Sequence, residues 1–303
     1  MPSPAAPGAL AVPNLRGSGA SNTSRASVES NYTIIKELGE GKFGQVKEVL
    51  RTGTKQRFAW KQVTSEKDPY YKVELEILGN LEHEGIIGVV EAYTQEGVVD
   101  MVLELCKISL QFDIDSRFEP APMGGKKQYV RPSSWDIAST MLQIFSAVAF
   151  LHESQVAHRD IKPDNVLLST GERWKLADFG LASRFKSGSY MEEVVGTQPF
   201  KAPEVEKGYY TEKCDVYSTG VLFIALATGK EWWRPENLED ETAKEKAIAL
   251  MAPETWKDLE LGHGAWEFAE SMVSLEPERS HAEDALQNPW LVRKHSGGCC
   301  AVS

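Results

Sequence analysis

The spacing of apolar residues changes along the chain from a two-residue period to a helical one. Short runs with the two-residue period predict strands at 32–38, 45–49, 58–63, 89–93 and 98–105. Apolar residues three and four positions apart predict helices at about 69–81, 135–152 and 215–228. The last of these helices is apolar nearly all round, so it is expected to be buried. Strands come first and helices follow, which is the order expected of an α+β fold.

Composition separates this patterned region from both ends of the chain. Residues 1–30 are rich in Pro, Ala, Ser, Gly and Asn and carry too little apolar surface to offset the entropy of ordering, so we predict a disordered tail. Residues 293–303 form a second short segment that we expect to be flexible. The 303 residues carry a net charge of -11, which disfavours nucleic acid as a partner because phosphate backbones need a basic surface.

The cysteines and the apolar segments bound the location of the protein. The four cysteines show neither a disulfide framework nor the spacing of a zinc site, so the cytoplasm is the expected compartment. The first residues lack the apolar core of a signal peptide, and we expect no stretch of the chain to span a bilayer.

A candidate metal site lies within residues 158–180. Two short strands, at 166–168 and 174–177, would form an antiparallel hairpin that brings Asn165 and Asp178 side by side. An amide oxygen and a carboxylate oxygen at one point suit Mg²⁺, which prefers few protein ligands together with phosphate oxygens. The hairpin therefore predicts a site for magnesium bound to phosphate groups.

Two further residues of the same loop are candidates for catalysis. Asp160 is free to orient a hydroxyl group and accept its proton, and Lys162 lies where it would stabilise a transferring phosphoryl group. The alternative is that these are ordinary polar residues of a loop. The full string makes that alternative hard to sustain, because several chemically apt residues occur in one order at fixed offsets.

The loop resembles the protein-kinase catalytic loop, H-R-D-x-K-x-x-N, followed by D-F-G. The matching residues are His158, Arg159, Asp160, Lys162, Asn165 and Asp178–Gly180. The lysine at 162 is similar to that of serine/threonine kinases. The resemblance covers about 32–292 and implies a two-lobed kinase fold, with a small antiparallel β-sheet lobe and one helix at 31–106. A larger, mainly helical lobe at 107–292 would follow, with ATP and Mg²⁺ in the cleft between the lobes.

A glycine-rich segment follows the first predicted strand. Glycines at 39, 41 and 44 allow the backbone to approach phosphates closely and to donate N–H groups to them. The competing interpretation is a dinucleotide-binding turn, which needs a helix directly after the glycines. A second strand follows instead, which favours a lid over ATP. The resemblance implies an ATP-contacting set of Leu38, Gly39, Gly41, Gly44, Val46, Ala59 and Leu167.

Lys61 is the candidate cation for the ATP phosphates. The two-residue period places it on one strand face with Ala59 and Val63, where a charge would need a partner. Either Glu74 or Glu76 on the following helix is expected to pair with it. The resemblance favours Glu74, which precedes an apolar pair by three and four residues.

The predicted strand at 98–105 resembles the one that leads into the kinase hinge. This implies that Leu103 lies behind the adenine and that the backbone of Glu104 and Cys106 binds its edge. The chain departs from the family after the hinge, where Lys107–Ser109 replaces the usual glycines and acid. Residues 113–133 contain several Pro and Gly and predict an irregular loop.

Residues 196–204 resemble the end of a kinase activation segment. The resemblance implies that Thr197 binds Asp160, that Glu204 pairs with Arg279, and that Asp215 holds the backbone of the catalytic loop. In such kinases a phosphate usually neutralises the Arg that precedes the catalytic Asp. The corresponding position here is Glu193, whose carboxylate would partly replace that phosphate. The alternative is a solvated acidic loop, with control through Ser187, Ser189 or Tyr190.

The last four residues, Cys300 to Ser303, match a C-a-a-X box whose final serine favours farnesyl. One lipid binds membranes weakly, so acylation of Cys299 would have to supply the second anchor. We therefore predict a cytoplasmic protein that attaches to the cytoplasmic face of a membrane. The alternative is an accidental pair of thiols.

These features predict an enzyme that phosphorylates Ser or Thr hydroxyls of protein substrates. The first alternative is a pseudokinase that binds nucleotide and protein partners, and it lacks support because Lys61, Asp160, Asn165 and Asp178 are all present. The second alternative is a small-molecule kinase of related architecture, which would lack the segment around Glu204 and its Arg partner.

Overall fold

The computed structural model describes residues 26–41, 44–64, 72–95, 97–119, 128–229, 256, 259, 261–262 and 264–296. The chain divides into two compact units. Unit 1 comprises residues 1–82 and 87–106, and unit 2 comprises residues 83–86 and 107–303. Unit 1 is built around an antiparallel sheet and unit 2 is mainly helical, so the predicted α+β class is confirmed.

Unit 1 is a five-stranded antiparallel sheet with two short helices. Its elements are α1 (Ala26–Asn31), β1 (Tyr32–Gly41), β2 (Gly44–Arg51), β3 (Arg57–Thr64), α2 (Val73–Leu78), β4 (Val89–Gln95) and β5 (Val98–Glu104). The strands lie in the order β1-β2-β3-β5-β4. The five strands predicted from the two-residue period are all present.

The register of the sheet decides which side chains share a face. Val46 lies opposite Lys61, and Ala59 lies opposite Leu103. Directly opposite residues of antiparallel strands point to the same side, and so do residues two apart along one strand. All four side chains therefore lie on one face. The other face carries a buried cluster of Tyr32, Val49, Trp60 and Val102.

Two predictions for unit 1 need correction. The tail was expected to lack structure up to residue 30, but residues 26–31 form α1, while residues 1–25 lie outside the described residues. The helix predicted at about 69–81 is described as α2, which ends at Leu78, and residues 65–71 lie outside the described part. Leu81 continues the apolar spacing but not the helix, because Gly79 caps the end.

The described residues of unit 2 contain six α-helices, a three-stranded sheet and two short strand pairs. The helices are α3 (Leu110–Ser116), α4 (Ser134–Glu153), α5 (Lys213–Thr228), α6 (Ala265–Val273), α7 (Ala282–Leu286) and α8 (Pro289–Ser296). The strands are β6 (Cys106–Ser109), β7 (Phe118–Glu119), β8 (Gln128–Tyr129), β9 (Val156–Ala157), β10 (Val166–Ser169), β11 (Trp174–Leu176) and β12 (Ser183–Arg184).

Helix α4 forms the centre of unit 2 and packs against α5, α7 and α8. A capping box starts it, in which Ser133 and Asp136 bond to each other's backbone N–H. By length and composition it would suffice to cross a membrane, contrary to the expectation that no stretch would. Side chains such as Met141, Phe145 and Val148 are fully buried in the unit, which is typical of a core helix.

The segment between α3 and α4 differs from its prediction. Residues 113–133 were expected to be irregular, but α3 continues to Ser116 and β7 pairs with β8. Tyr129 of β8 stacks at a tilt against Phe118 and donates its hydroxyl proton to Leu226 O, 2.9 Å away. This hydrogen bond holds the hairpin against the end of α5. Residues 120–127 lie outside the described residues.

Candidate active site

The backbone of the loop that carries the predicted catalytic residues is held by Asp215 of α5. One carboxylate oxygen of Asp215 accepts the backbone N–H of His158 and the other accepts that of Arg159, both at 2.8 Å. His152, in the last turn of α4, contacts the same carboxylate at 3.0 Å. The backbone of Arg159 has a φ of +66°, an uncommon conformation for a residue with a side chain, so these bonds fix a costly bend directly before Asp160.

Asp215 is completely buried, where a carboxylate keeps its charge only if its surroundings stabilise the ionised form. Burial alone would raise the pKa of its carboxyl. The hydrogen bond from His152, the charges of His152 and His158 and the backbone N–H of Arg159 outweigh burial, so the net pKa is lowered. The carboxylate therefore remains ionised at neutral pH and keeps both backbone bonds.

The carboxylate of Asp160 is surrounded by three donors. The hydroxyl of Thr197 donates to Oδ1 at 2.7 Å, and Nζ of Lys162 donates to Oδ2 at 2.8 Å. Lys162 also donates to Thr197 Oγ1, at 2.8 Å. Nδ2 of Asn165 donates to the backbone carbonyl of Asp160 at 2.9 Å and to its Oδ2 at 3.1 Å. The structure thus brings together four residues that the sequence predicted to act at one site.

The predicted hairpin places Asn165 and Asp178 at one end. Val166 of β10 pairs with Leu176 of β11, and the N–H of Ala177 donates to the carbonyl of Asn165 at 2.9 Å. Asp178 follows directly and has a φ of +61°. A strained backbone at a residue with a carboxylate side chain indicates a functional constraint, because such a conformation persists only where its surroundings fix it.

The donor set at this end of the hairpin fits a magnesium ion. Nδ2 of Asn165 faces Asp160, so Oδ1 of the same amide is turned the other way, and Asp178 follows Ala177, whose N–H bonds the carbonyl of Asn165. Within the described residues, no group of three or more His, Cys, Asp or Glu is placed to hold a metal. An ion held here would complete its shell with other oxygens, as Mg²⁺ does when it binds phosphates.

In unit 1 the predicted lysine has the expected partner. Nζ of Lys61 lies 2.7 Å from Oε2 of Glu74, and both side chains are nearly buried. Glu76, the alternative partner, is exposed. A buried pair of this kind constrains where α2 lies on the sheet more than it adds stability.

The glycine-rich segment forms the turn end of β1 and β2, where Gly41 lies opposite Gly44. A Cβ on Gly44 would be only 1.9 Å from the carbonyl oxygen of Gln62. Only glycine fits at this point of the sheet. Gly39 has open space around it, and residues 42–43 lie outside the described part of the chain.

The other residues implied to contact ATP have different surroundings within their own units. In unit 1, Leu38 is exposed, Val46 and Ala59 are half-buried, and Leu103 is buried. In unit 2, Leu167 is half-buried in β10. The N–H of Glu104 donates to Gly88 O at 3.0 Å, so for Glu104 only the carbonyl side of the backbone fits an adenine contact. Cys106 is the first residue of β6 and is half-buried.

Arg159 connects the catalytic loop with the activation segment. Its guanidinium donates to Leu181 O at 2.7 Å, to the hydroxyl of Tyr210 at 3.2 Å and to Glu193 Oε2 at 3.0 Å. The hydroxyl of Tyr210 in turn donates to Glu193 O at 2.6 Å. Burial raises the pKa of Tyr210 more than the hydrogen bond from Arg159 lowers it, so this hydroxyl keeps its proton.

The end of the segment is anchored by the ion pair that the resemblance implied. Nη2 of Arg279 donates to Glu204 Oε2 at 3.1 Å, and Nη1 donates to the second carboxylate oxygen. Arg279 is almost fully buried and also donates to the carbonyls of Ser274 and Lys213. This bidentate geometry fixes the orientation of the segment relative to α5.

Two residues of this network were missed by sequence reasoning. His152 had a usable signal, because it lies four residues after Val148 and so continues the buried face of α4. Tyr210 had none, because its contact with Arg159 joins residues 51 apart in the chain.

Comparison with known proteins matches residues 32–291 to the family model described as protein kinase domain. Calcium-dependent protein kinase 24 of Arabidopsis thaliana is 30% identical over 276 residues, which cover 87% of this chain and 45% of that protein. Serine/threonine-protein kinase PEPKR2 of the same plant is 28% identical over 275 residues, covering 88% and 54%. A probable myosin light chain kinase of Dictyostelium discoideum is 30% identical over 276 residues, covering 89% and 84%. The chain thus spans about half the length of the two plant relatives.

Proposed function

Because the chain belongs to the protein kinase family, we propose that it is an active enzyme that transfers the γ-phosphoryl group of ATP to Ser or Thr hydroxyls of proteins. The observation that carries this proposal is the set of contacts around Asp160. Thr197 and Lys162 both donate to its carboxylate, and Asn165 fixes its backbone. A carboxylate oriented this way is suited to position an acceptor hydroxyl and to take its proton.

The roles of the remaining residues follow from what phosphoryl transfer requires. The reaction needs positioning and charge stabilisation more than covalent help from the protein. Lys61, paired with Glu74, would bind the phosphates of ATP, and the backbone around Gly39, Gly41 and Gly44 would donate N–H groups to them. Lys162 would neutralise the transferring group. Mg²⁺ would be held by Asn165 and Asp178 and would offset the charge of the phosphates.

The acceptor preference rests on Thr197 and Lys162. Both donate to Asp160, and their resemblance to the corresponding residues of serine/threonine kinases favours a Ser or Thr hydroxyl over a phenol as the acceptor. The name of one plant relative states a serine/threonine specificity for that relative. Peptides that differ only in carrying Ser, Thr or Tyr as the acceptor test this preference directly.

The principal test is the substitution Asp160→Asn. It keeps the size of the side chain but removes the base, so transfer of labelled phosphate from MgATP to a generic protein substrate should fall at least about 100-fold. Nucleotide binding, measured by a fluorescent ATP analogue, should stay near normal. Substantial turnover by this variant would contradict the assignment of Asp160 as the base. A wild-type chain that binds nucleotide without any transfer would instead favour a pseudokinase.

We also propose that the chain attaches to the cytoplasmic face of a membrane through Cys300, with Cys299 as a second lipid site. The support is the C-a-a-X pattern of the last four residues, which lie outside the described residues. A net charge of -11 opposes binding to anionic lipid, so a covalent anchor would be needed.

A further inference from the structure

A charged cluster lies close to the proposed base and has no part in the mechanism described so far. Nζ of Lys201 is 2.8 Å from Oε1 of Glu206, and Nε2 of Gln198 donates to the same oxygen at 2.7 Å. Two donors thus converge on one carboxylate oxygen. The convergence fixes the direction of the Glu206 carboxylate.

The turn that carries Gln198 and Lys201 is held by Asp160 at one end and by α5 at the other. The hydroxyl of Thr197 donates to Asp160 at 2.7 Å, and the N–H of Lys201 donates back to Thr197 O at 3.0 Å. The carbonyl of Phe200 accepts a hydrogen bond from Ser218 of α5 at 2.7 Å. These hydrogen bonds hold the turn next to Asp160.

The distance from Asp160 to this turn is within the reach of a substrate. Lys201 is one backbone hydrogen bond from Thr197, whose hydroxyl contacts the carboxylate of Asp160 directly. An extended peptide advances about 3.3 Å per residue, so a residue next to the acceptor comes within one side-chain length of this turn. The side chain of the substrate residue next to the acceptor is therefore expected to contact the cluster of Gln198, Lys201 and Glu206.

The carboxylate of Glu206 faces the solvent, whereas the side chain of Lys201 is largely buried. The side chain of Lys201 is 14% exposed, whereas that of Glu206 is 46% exposed. The hydrogen bond from Lys201 lowers the pKa of Glu206, against the effect of burial, so the carboxylate is ionised at neutral pH. An apolar side chain laid over it would remove water from a charged group without replacing its hydrogen bonds, which is unfavourable.

We propose that Glu206, oriented by Lys201 and Gln198, selects protein substrates that carry a basic residue next to the phosphorylated Ser or Thr. The inference rests on the proposed kinase function and adds a substrate class to it. A guanidinium or ammonium group would pair with the exposed oxygen of Glu206 while Lys201 keeps the other. The net charge of -11 acts in the same direction, since it attracts cationic segments over a longer range.

The test compares peptides that differ only at one residue flanking the acceptor, with Arg, Leu or Glu at that place, on each side of the acceptor in turn. The wild type should use one of the Arg peptides about threefold better in kcat/KM than its Leu counterpart, the size expected for one partly exposed ion pair. Glu206→Gln keeps an oxygen for Lys201 but removes the charge, so this preference should fall to about one. Glu283→Gln, an equal charge change on the exposed surface of α7, serves as the control and should leave the preference intact.

A second variant guards against a purely structural effect. Lys201→Leu removes the donor that orients Glu206 and adds apolar surface, so use of the Leu peptide should rise relative to the Arg peptide. Thermal unfolding of each variant shows whether it is folded. If Glu206→Gln is folded and active but keeps the wild-type preference, or if the wild type prefers Glu, the inference is overturned and the kinase function stands. If no peptide is phosphorylated by the wild type, the proposed function fails and this inference with it.

Discussion

The guanidinium of Arg159 is the best-connected cation of the described catalytic loop. Its partners come from three separate stretches of chain, namely Leu181, Tyr210 and Glu193. An unpaired charge at this position would lie one residue from Asp160 and disturb the proton transfer assigned to it. The carboxylate of Glu193 supplies the neutralising charge from within the chain.

This contact predicts the effect of Glu193→Gln. The amide still accepts a hydrogen bond but carries no charge, so kcat should fall about two- to fivefold, a modest effect because the pair is partly exposed. The matched control is Glu192→Gln, which changes the adjacent exposed carboxylate. The measurement is steady-state transfer by protein that intact mass shows to be free of phosphate. Wild-type enzyme that is inactive in this form and recovers after phosphorylation would contradict the role of Glu193 and favour control through Ser187, Ser189 or Tyr190.

Individual site residues could be predicted from the sequence where a motif requires one particular residue type at one position. The motif singled out Asp160, Lys162, Asn165 and Asp178, and the resemblance favoured Glu74 over Glu76 through the apolar pair at 77 and 78 within α2. The sequence left two interpretations of Glu193 open, a partner of Arg159 or a solvated acid. A glutamate in an acidic loop fits both, because the sequence alone does not show which side chain it contacts. The contact of 3.0 Å between Arg159 Nη2 and Glu193 Oε2 in the folded chain favours the first of these.

Among the secondary-structure elements, α5 has the largest influence on the site. Its first turn carries Asp215, which holds two backbone N–H groups of the catalytic loop, and its middle carries Ser218, which holds the turn before Glu204. A single buried helix thus positions both the base and the surface beside it. Damage to its first turn should affect stability and activity together.

Asp215→Asn tests this coupling. The new amide would turn an N–H group toward buried donors, so we expect a loss of about 3 kcal/mol in the free energy of unfolding at pH 7. The pKa of Asp215 is lowered in the folded state, so its contribution is complete above the unfolded value of about 4 and is lost as the pH falls below it. Denaturant unfolding at several pH values should therefore show the gap between wild type and variant narrowing below about pH 4. A gap that is constant with pH would mean that the charge of Asp215 contributes nothing.

The other end of α5 gives a steric prediction. Gly229 has a φ of +59°, and a Cβ there would lie 2.0 Å from the ring of Tyr129. Gly229→Ala should cost about 3 kcal/mol, from backbone strain together with the clash. Gly188→Ala isolates the strain, because Gly188 has a φ of +77° and nothing within 4 Å, so it should cost about 1 kcal/mol. Equal melting temperatures for the two variants would show that the Tyr129 hairpin does not pack there.

Element boundaries were predicted well where a pattern repeats and poorly where a single contact decides. The strands of unit 1 and the helices α4 and α5 follow their apolar periods closely. Helix α1 and the pair β7–β8 were not predicted, because six polar-rich residues and two-residue strands carry no readable period. The β7–β8 pair is held by one tyrosine on one helix end, and no local pattern in the sequence encodes that contact.

For the molecule as a whole, the testable expectation is its location in the cell. In cells with farnesyltransferase, the wild type should partition with membranes, and Cys300→Ser should move it to the soluble fraction because the anchor is lost. Cys299→Ser should reduce retention without abolishing it. Kinase activity toward a soluble peptide should be the same for all three proteins. A wild type that is soluble, with Cys300 unmodified by intact mass, would contradict the proposal.

The position of α4 in the chain has a consequence for how the protein is made. The ribosome releases this apolar helix before any of the helices that cover it, since α5, α7 and α8 all come later. A long apolar helix without its partners is a substrate for chaperones and for the machinery that inserts helices into membranes. The nascent chain must therefore be shielded until at least residue 296 has emerged. Co-expression of chaperones is therefore expected to raise the yield of this protein.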